Sequence, residues 1–100
     1  MVDLDKIVDF EWDDGNAHKS FDKHGVSQAE AEQVFFNDQL LLASDIQHSG
    51  TEARFQALGK TNDGRLLHVS FTLRQMKTRI RVISARPMNR KERALHEEET

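Results

Sequence analysis

Arginines spaced along one strand are the first feature of this sequence with chemical meaning. Residues 79–86 read Arg-Ile-Arg-Val-Ile-Ser-Ala-Arg. The β-branched residues Ile80, Val82 and Ile83 favour a strand. Its alternation puts Arg79 and Arg81 on one face and Ile80 and Val82 on the other, with Ile83 an exception on the arginine face. A guanidinium stays charged at any working pH, and its planar fork grips two oxygens of a phosphate or carboxylate at once. Such a strand suits the floor of an anion site, and it equally fits a half-exposed strand with solvated arginines. The charge distribution favours the first reading. Residues 1–51 carry three Lys against eleven Asp or Glu, whereas residues 52–93 carry eleven Lys or Arg against Glu52, Asp63 and Glu92. A focused basic half attracts a polyanion even on a chain of net charge −3, because local potential governs encounter. The overall acidity argues against non-specific coating of nucleic acid and for work at a confined site.

The elements that position these cations follow from local signals. One hundred residues, 37% hydrophobic and 31% charged, suit one globular domain spanning residues 1–100. The absence of cysteine excludes a disulfide scaffold and thiolate metal sites. No apolar run approaches the roughly 20 residues of a membrane span, and the short acidic start is unlike a secretory signal, so the expected compartment is the cytoplasm. Val8, Phe10 and Trp12 alternate with acids in a short first strand. Asp13 or Asp14 caps a helix to about His24, with Gly25 as its left-handed stop. Ser27-Gln28-Ala29-Glu30 is a capping box opening a second helix that buries Ala31, Val34 and Phe35 and ends near Asn37. Strands follow at 40–44, 53–59, 65–73 and 79–86, with Thr61-Asn62-Asp63-Gly64 as a turn between the second and third of them. Asn89 with Glu92 starts a last helix. The order β-α-α-β-β-β-β-α predicts an α+β fold, a small antiparallel sheet with two N-terminal helices and one C-terminal helix.

Several of these residues also form a joint pattern. Phe10-Glu11-Trp12-Asp13, Asn16, Lys23-His24-Gly25-Val26-Ser27, Glu30-Ala31 and Val34-Phe35 make its first half. Its second half is His48-Ser49, Glu52-x-Arg54, Gly64-Arg65, Thr72-x-Arg74 and Ile83-Ser84-Ala85-Arg86. In order and spacing, over roughly residues 8–98, these resemble the BrnT toxins of bacterial type II toxin–antitoxin modules. The resemblance implies a RelE-like ribonuclease fold, cleavage of RNA without a metal or other cofactor, and inhibition of translation. It also implies neutralisation by a cognate antitoxin with a ribbon-helix-helix DNA-binding domain. The complex, a dimer of toxin–antitoxin heterodimers, would bind operator DNA. The sequence departs from the family where His96 replaces a common aromatic residue and where the turn before Arg79 is longer.

RNA cleavage of that kind needs a base for the 2′-hydroxyl proton, an acid for the departing 5′-oxygen, and cations for the phosphorane. The candidates for catalysis are His48, Glu52, Arg54, Arg81 and Arg86. Lys23, His24, Arg65 and Arg74 are candidates for binding flanking phosphates. Each has a plainer alternative: Arg54 as the ion-pair partner of Glu52, Arg65 as a solvated hairpin residue, His24 as a helix-end cap. His18, His68 and His96 read as structural or exposed. There is no HExxH or DxDxD cluster for a metal and no GxGxxG or GxxxxGK[ST] loop for nucleotide phosphates. Trp12, Phe35, Phe36, Phe55 and Phe71 can stack bases, but their spacing favours the core. The competing function is a catalytically silent module that grips an acidic partner or nucleic acid and serves as a corepressor. Both readings expect a partner to cover the arginine face.

Overall fold

A computed structural model describes residues 2–47 and 49–100. A 3-10 turn at Leu4–Lys6 precedes strand β1 (Asp9–Glu11). Helix α1 (Asp14–His24) begins where the Asp13 side chain accepts from the Asn16 N–H, and it stops at Gly25, whose φ of 65° suits a residue without a Cβ. Helix α2 (Gln28–Gln33) opens with the reciprocal Ser27–Glu30 capping box. It is shorter than its apolar spacing suggests. The Phe35 and Phe36 N–H groups donate to the carbonyls of Glu32 and Gln33, and this tightening to i→i−3 bonds ends the helix. Val34 and Phe35 still enter the core, whereas Phe36 is 77% exposed.

Strands β2 (Leu41–Ser44), β3 (Phe55–Lys60), β4 (Leu66–Arg74) and β5 (Arg79–Pro87) follow, and helix α3 (Arg90–Glu99) closes the order from a capping box of Asn89 and Glu92. The five strands form one sheet in the order β1-β5-β4-β3-β2. The expectation of a purely antiparallel sheet is corrected here, because β1 runs parallel to β5, with Asp9 opposite Arg79 and Glu11 opposite Arg81. Hairpins force antiparallel pairing only between sequence neighbours. β1 and β5 are joined through the whole intervening domain, so the direction of their pairing is set by packing.

One face of the sheet packs Ala57, Leu67, Val69, Phe71, Ile80, Val82 and Ala85 against Val26, Ala31, Val34 and Phe35. The opposite face is largely polar, apart from such residues as Leu58 and Leu66, and helix α3 covers one end of it through contacts of Glu92 with Arg86 and His68. A bulge in β5 decides where the arginines point. Ser70 pairs with Ser84 but Phe71 pairs with Val82, leaving Ile83 as the extra residue. In an unbroken alternation Arg86 would share the face of Ile80 and Val82. The bulge instead brings Ala85 to the core face and returns Arg86 to the side of Arg79 and Arg81. Among the described residues, no helix is long and apolar enough to cross a membrane.

Candidate functional site

The open end of the polar face forms a pocket of about 320 Å³, lined by Asn16, Gly50, Thr51, Glu52, Arg54, Thr72, Arg74, Arg81 and Ile83. Its floor is laid out by strand register. Thr72 on β4 lies opposite Arg81 on β5, and Arg74 opposite Arg79. Continuing the β3–β4 ladder one step beyond the Phe55–Phe71 pair sets Arg54 across from Thr72. Thus Arg54, Thr72 and Arg81 form one row across the pocket floor, with Thr72 and Arg81 paired on adjacent strands about 4.8 Å apart and Arg54 just before β3 on the other side. Arg54 is presented by a tied loop. The Ser49 hydroxyl donates to the Asp45 carbonyl at 2.7 Å and accepts from the Arg54 N–H at 3.0 Å, while the Asp45 N–H donates to the Arg54 carbonyl at 2.7 Å.

The cations differ in their partners. Arg74 Nε stands 2.9 Å from a Glu52 carboxylate oxygen, although the N–H is not aimed along that contact. Arg81 Nη2 donates to Asp13 Oδ2 at 3.2 Å, and Asp13 uses its other oxygen to cap α1. Arg54 has no carboxylate partner among the described residues. It is therefore a cation available to a ligand. Thr72 is only 5% exposed, and its hydroxyl meets no hydrogen-bond partner among the described residues. The pocket as a whole offers two-pronged donors, the hydroxyls of Thr51 and Thr72 and the Glu52 carboxylate, a set suited to holding a phosphodiester and accepting a proton.

Lys23 and His24 line an adjoining pocket of about 250 Å³ with Lys19, Ser20 and Ser84; it shares Asn16 and Ile83 with the first. Helix α1 is held there because the buried Ser20 hydroxyl accepts from the Ala85 N–H at 3.1 Å, occupying the edge of β5 that the three-residue β1 leaves unpaired. The structure thus brings together Glu52, Arg54, Arg74 and Arg81, with Lys23 and His24 alongside. His48 lies outside the described residues.

The two remaining candidates stand elsewhere. Arg65 donates to the carbonyls of His24 and Gly25 at 3.3 and 2.9 Å and pairs with Glu30 at 3.0 Å, so it closes the C-terminus of α1. A hydrogen bond from the Ser27 backbone is the main influence holding the Glu30 carboxyl below its ordinary range. Arg86 donates two parallel bonds to Glu92 at 2.7 and 2.8 Å beneath α3. This pairing raises the Arg86 pKa above its already high value. Burial opposes ionisation of Glu92, but bonds from Arg86 and the Asn89 N–H hold its carboxyl below the usual range. His68, nearly buried beside this pair, has its pKa lowered by burial and then by Arg86. Among the described residues, no group of three or more His, Asp or Glu is placed to hold a metal ion. Thr72 and Asn16 are pocket residues that sequence reasoning quoted as motif positions without assigning them to the site. The available signal was the two-residue step from Thr72 to Arg74, which puts both on one face of a strand.

Comparison with known proteins places the chain in a family. The family model described as "Ribonuclease toxin, BrnT, of type II toxin-antitoxin system" matches residues 12–92. Among solved structures, the chain is similar in fold to the ribonuclease toxin BrnT of Brucella abortus, with a TM-score of 0.62 and 20% identity over 83% of this chain and 99% of that one. No curated protein sequence gives a significant match. The matched residues run from just after β1 to the start of α3 and take in every side chain of the arginine pocket, and on that match the chain belongs to the BrnT family of type II toxin–antitoxin ribonuclease toxins.

Proposed function

We propose that this chain is an endoribonuclease of RelE-like fold that cleaves RNA without a metal ion and thereby inhibits translation. The observation that carries the reading is the row of Arg54 and Arg81 on either side of Thr72, with Glu52 and Arg74 beside it. In this mechanism the substrate's 2′-hydroxyl attacks the neighbouring phosphorus and gives its proton to Glu52, which Arg74 keeps in place. The bond to the 5′-oxygen breaks as that oxygen takes a proton from His48, leaving a 2′,3′-cyclic phosphate and a 5′-hydroxyl. Arg54 and Arg81 stabilise the charge on the phosphorane. Lys23 and His24 bind the flanking strand. Arg65 and Arg86 are assigned to fastening α1 and α3.

As a type II toxin the chain has an antitoxin partner. We assign that partner a ribbon-helix-helix DNA-binding domain and an acidic or apolar segment that covers the arginine face. A dimer of heterodimers that binds operator DNA follows from this reading. A second reading, a catalytically silent module, draws support from the carboxylates already paired with Arg74 and Arg81. Growth separates the two, since induced expression of an active ribonuclease arrests it and a silent module does not. The direct test incubates purified wild type and Arg54→Ala with RNA in EDTA. Wild type is expected to cut, and Arg54→Ala to cut about 10²–10³-fold more slowly. Identical RNA profiles from the two proteins would remove Arg54 from the mechanism.

A further inference from the structure

Thr72 occupies the middle of the arginine row and does nothing for the fold with its hydroxyl. The residue is 5% exposed, and Oγ1 is buried without a hydrogen-bond partner among the described residues. Buried hydroxyls are ordinarily bonded, because leaving one unpaired destabilises the folded state. A threonine in a strand is common for its β-branched shape, but valine supplies that shape without the penalty. The surroundings indicate what the hydroxyl is kept for. Thr72 faces the pocket rather than the core, which takes its neighbours Phe71 and, in part, Leu73. Arg81 stands across from it on β5, and Arg54, next to the terminal Phe55–Phe71 pair of β3 and β4, lines the pocket from the other side. The two arginines thus reach the pocket from either side of Thr72, where two guanidinium side chains can close around one tetrahedral phosphate.

We propose that the Thr72 hydroxyl is a substrate-binding donor, giving its hydrogen bond to a non-bridging oxygen of the RNA phosphodiester clamped between Arg54 and Arg81. The assignment rests on the ribonuclease reading and names the atom at the floor of its site. It explains why the free chain keeps an unsatisfied hydroxyl. A phosphate oxygen satisfies it, and the bond strengthens as negative charge builds on that oxygen in the phosphorane.

The test compares wild type, Thr72→Val and Thr72→Ser in three measurements: thermal melting, cleavage of a labelled RNA oligonucleotide in EDTA, and affinity for a 2′-O-methyl RNA that cannot be cut. Thr72→Val is expected to melt at or above the wild-type temperature, cut about 10²-fold more slowly, and bind the 2′-O-methyl RNA about tenfold more weakly. Thr72→Ser, which restores the hydroxyl, is expected to return rate and affinity to within a few-fold. A valine variant that melts lower would show a structural role and overturn the proposal, as would one with unchanged rate and affinity. If wild type binds the 2′-O-methyl RNA but cuts nothing, the ribonuclease reading fails, and the affinities alone decide Thr72. Wild type that neither cuts nor binds would overturn both.

Discussion

Replacing Glu92 by alanine would show how the last helix is fastened to the face that carries the site. Its carboxylate accepts from Arg86 at 2.7 and 2.8 Å and from the Asn89 N–H at 2.9 Å, and it lies 3.8 Å from His68. Glu92 is 18% exposed and Arg86 34%, so the pair is partly shielded from solvent. Hydrogen bonds between charged groups contribute about 1.5–3 kcal/mol, and partial exposure places this pair at the lower end of that range. Loss of the capping box adds about 0.5–1 kcal/mol. Glu92→Ala should therefore cost about 2–3 kcal/mol, which for a domain of this size lowers the melting temperature by roughly 10–20 °C. Melting followed by circular dichroism at pH 7, on wild type, Glu92→Ala, Arg86→Ala and the double variant, measures this directly. The two losses should be strongly non-additive, since each single change removes the same bidentate contact. The contribution also has a pH signature. The folded Glu92 carboxyl lies below its ordinary 4.5, so the stabilisation is complete above that value and disappears as pH falls through the lower folded one. Glu92→Ala melting within about 3 °C of wild type at pH 7, or additive single and double variants, would refute this account of how α3 is held.

Two further outcomes follow from the same contacts. The His68 pKa is lowered from 6.5 by burial and by Arg86, so the unfolded chain binds this proton more readily than the folded one. Wild type should lose stability as pH falls from about 6.5 towards that lower value, and His68→Asn should flatten this part of a melting-temperature profile. Ser20→Ala leaves the Ala85 N–H of β5 without its acceptor, and should cost about 1–3 kcal/mol in a denaturant titration while loosening the α1 wall of the Lys23 and His24 pocket.

Much of the chain was legible because its signals are local. Asp13, Ser27 with Glu30, and Asn89 with Glu92 each satisfy N–H groups within their own first turn, so helix starts can be read from a few residues. Gly25 ends α1 for a similarly local reason. The alternation Leu67, Val69, Phe71 marks a strand face without reference to the rest of the fold. The charge split between the two halves of the sequence likewise pointed to a basic surface, and the joint motif pattern pointed to the family before any geometry.

Contacts between distant segments were decided by the tertiary structure. Nothing near Arg65 in sequence reveals that it reaches the end of α1, 40 residues away at Gly25. Arg86 looked equivalent to Arg81, yet Glu92 in the next helix holds its whole fork. The parallel pairing of β1 and the bulge at Ile83 arise from fitting strands onto a common core, and a one-residue change of register moves a side chain to the other face. The row Arg54, Thr72, Arg81 exists only because three strands align. The sequence by itself determined which residues carry charge and where helices and strands begin. Cross-strand register, fixed by packing over the whole domain, determined which of those charges share a pocket and left the Thr72 hydroxyl unpaired between two of them.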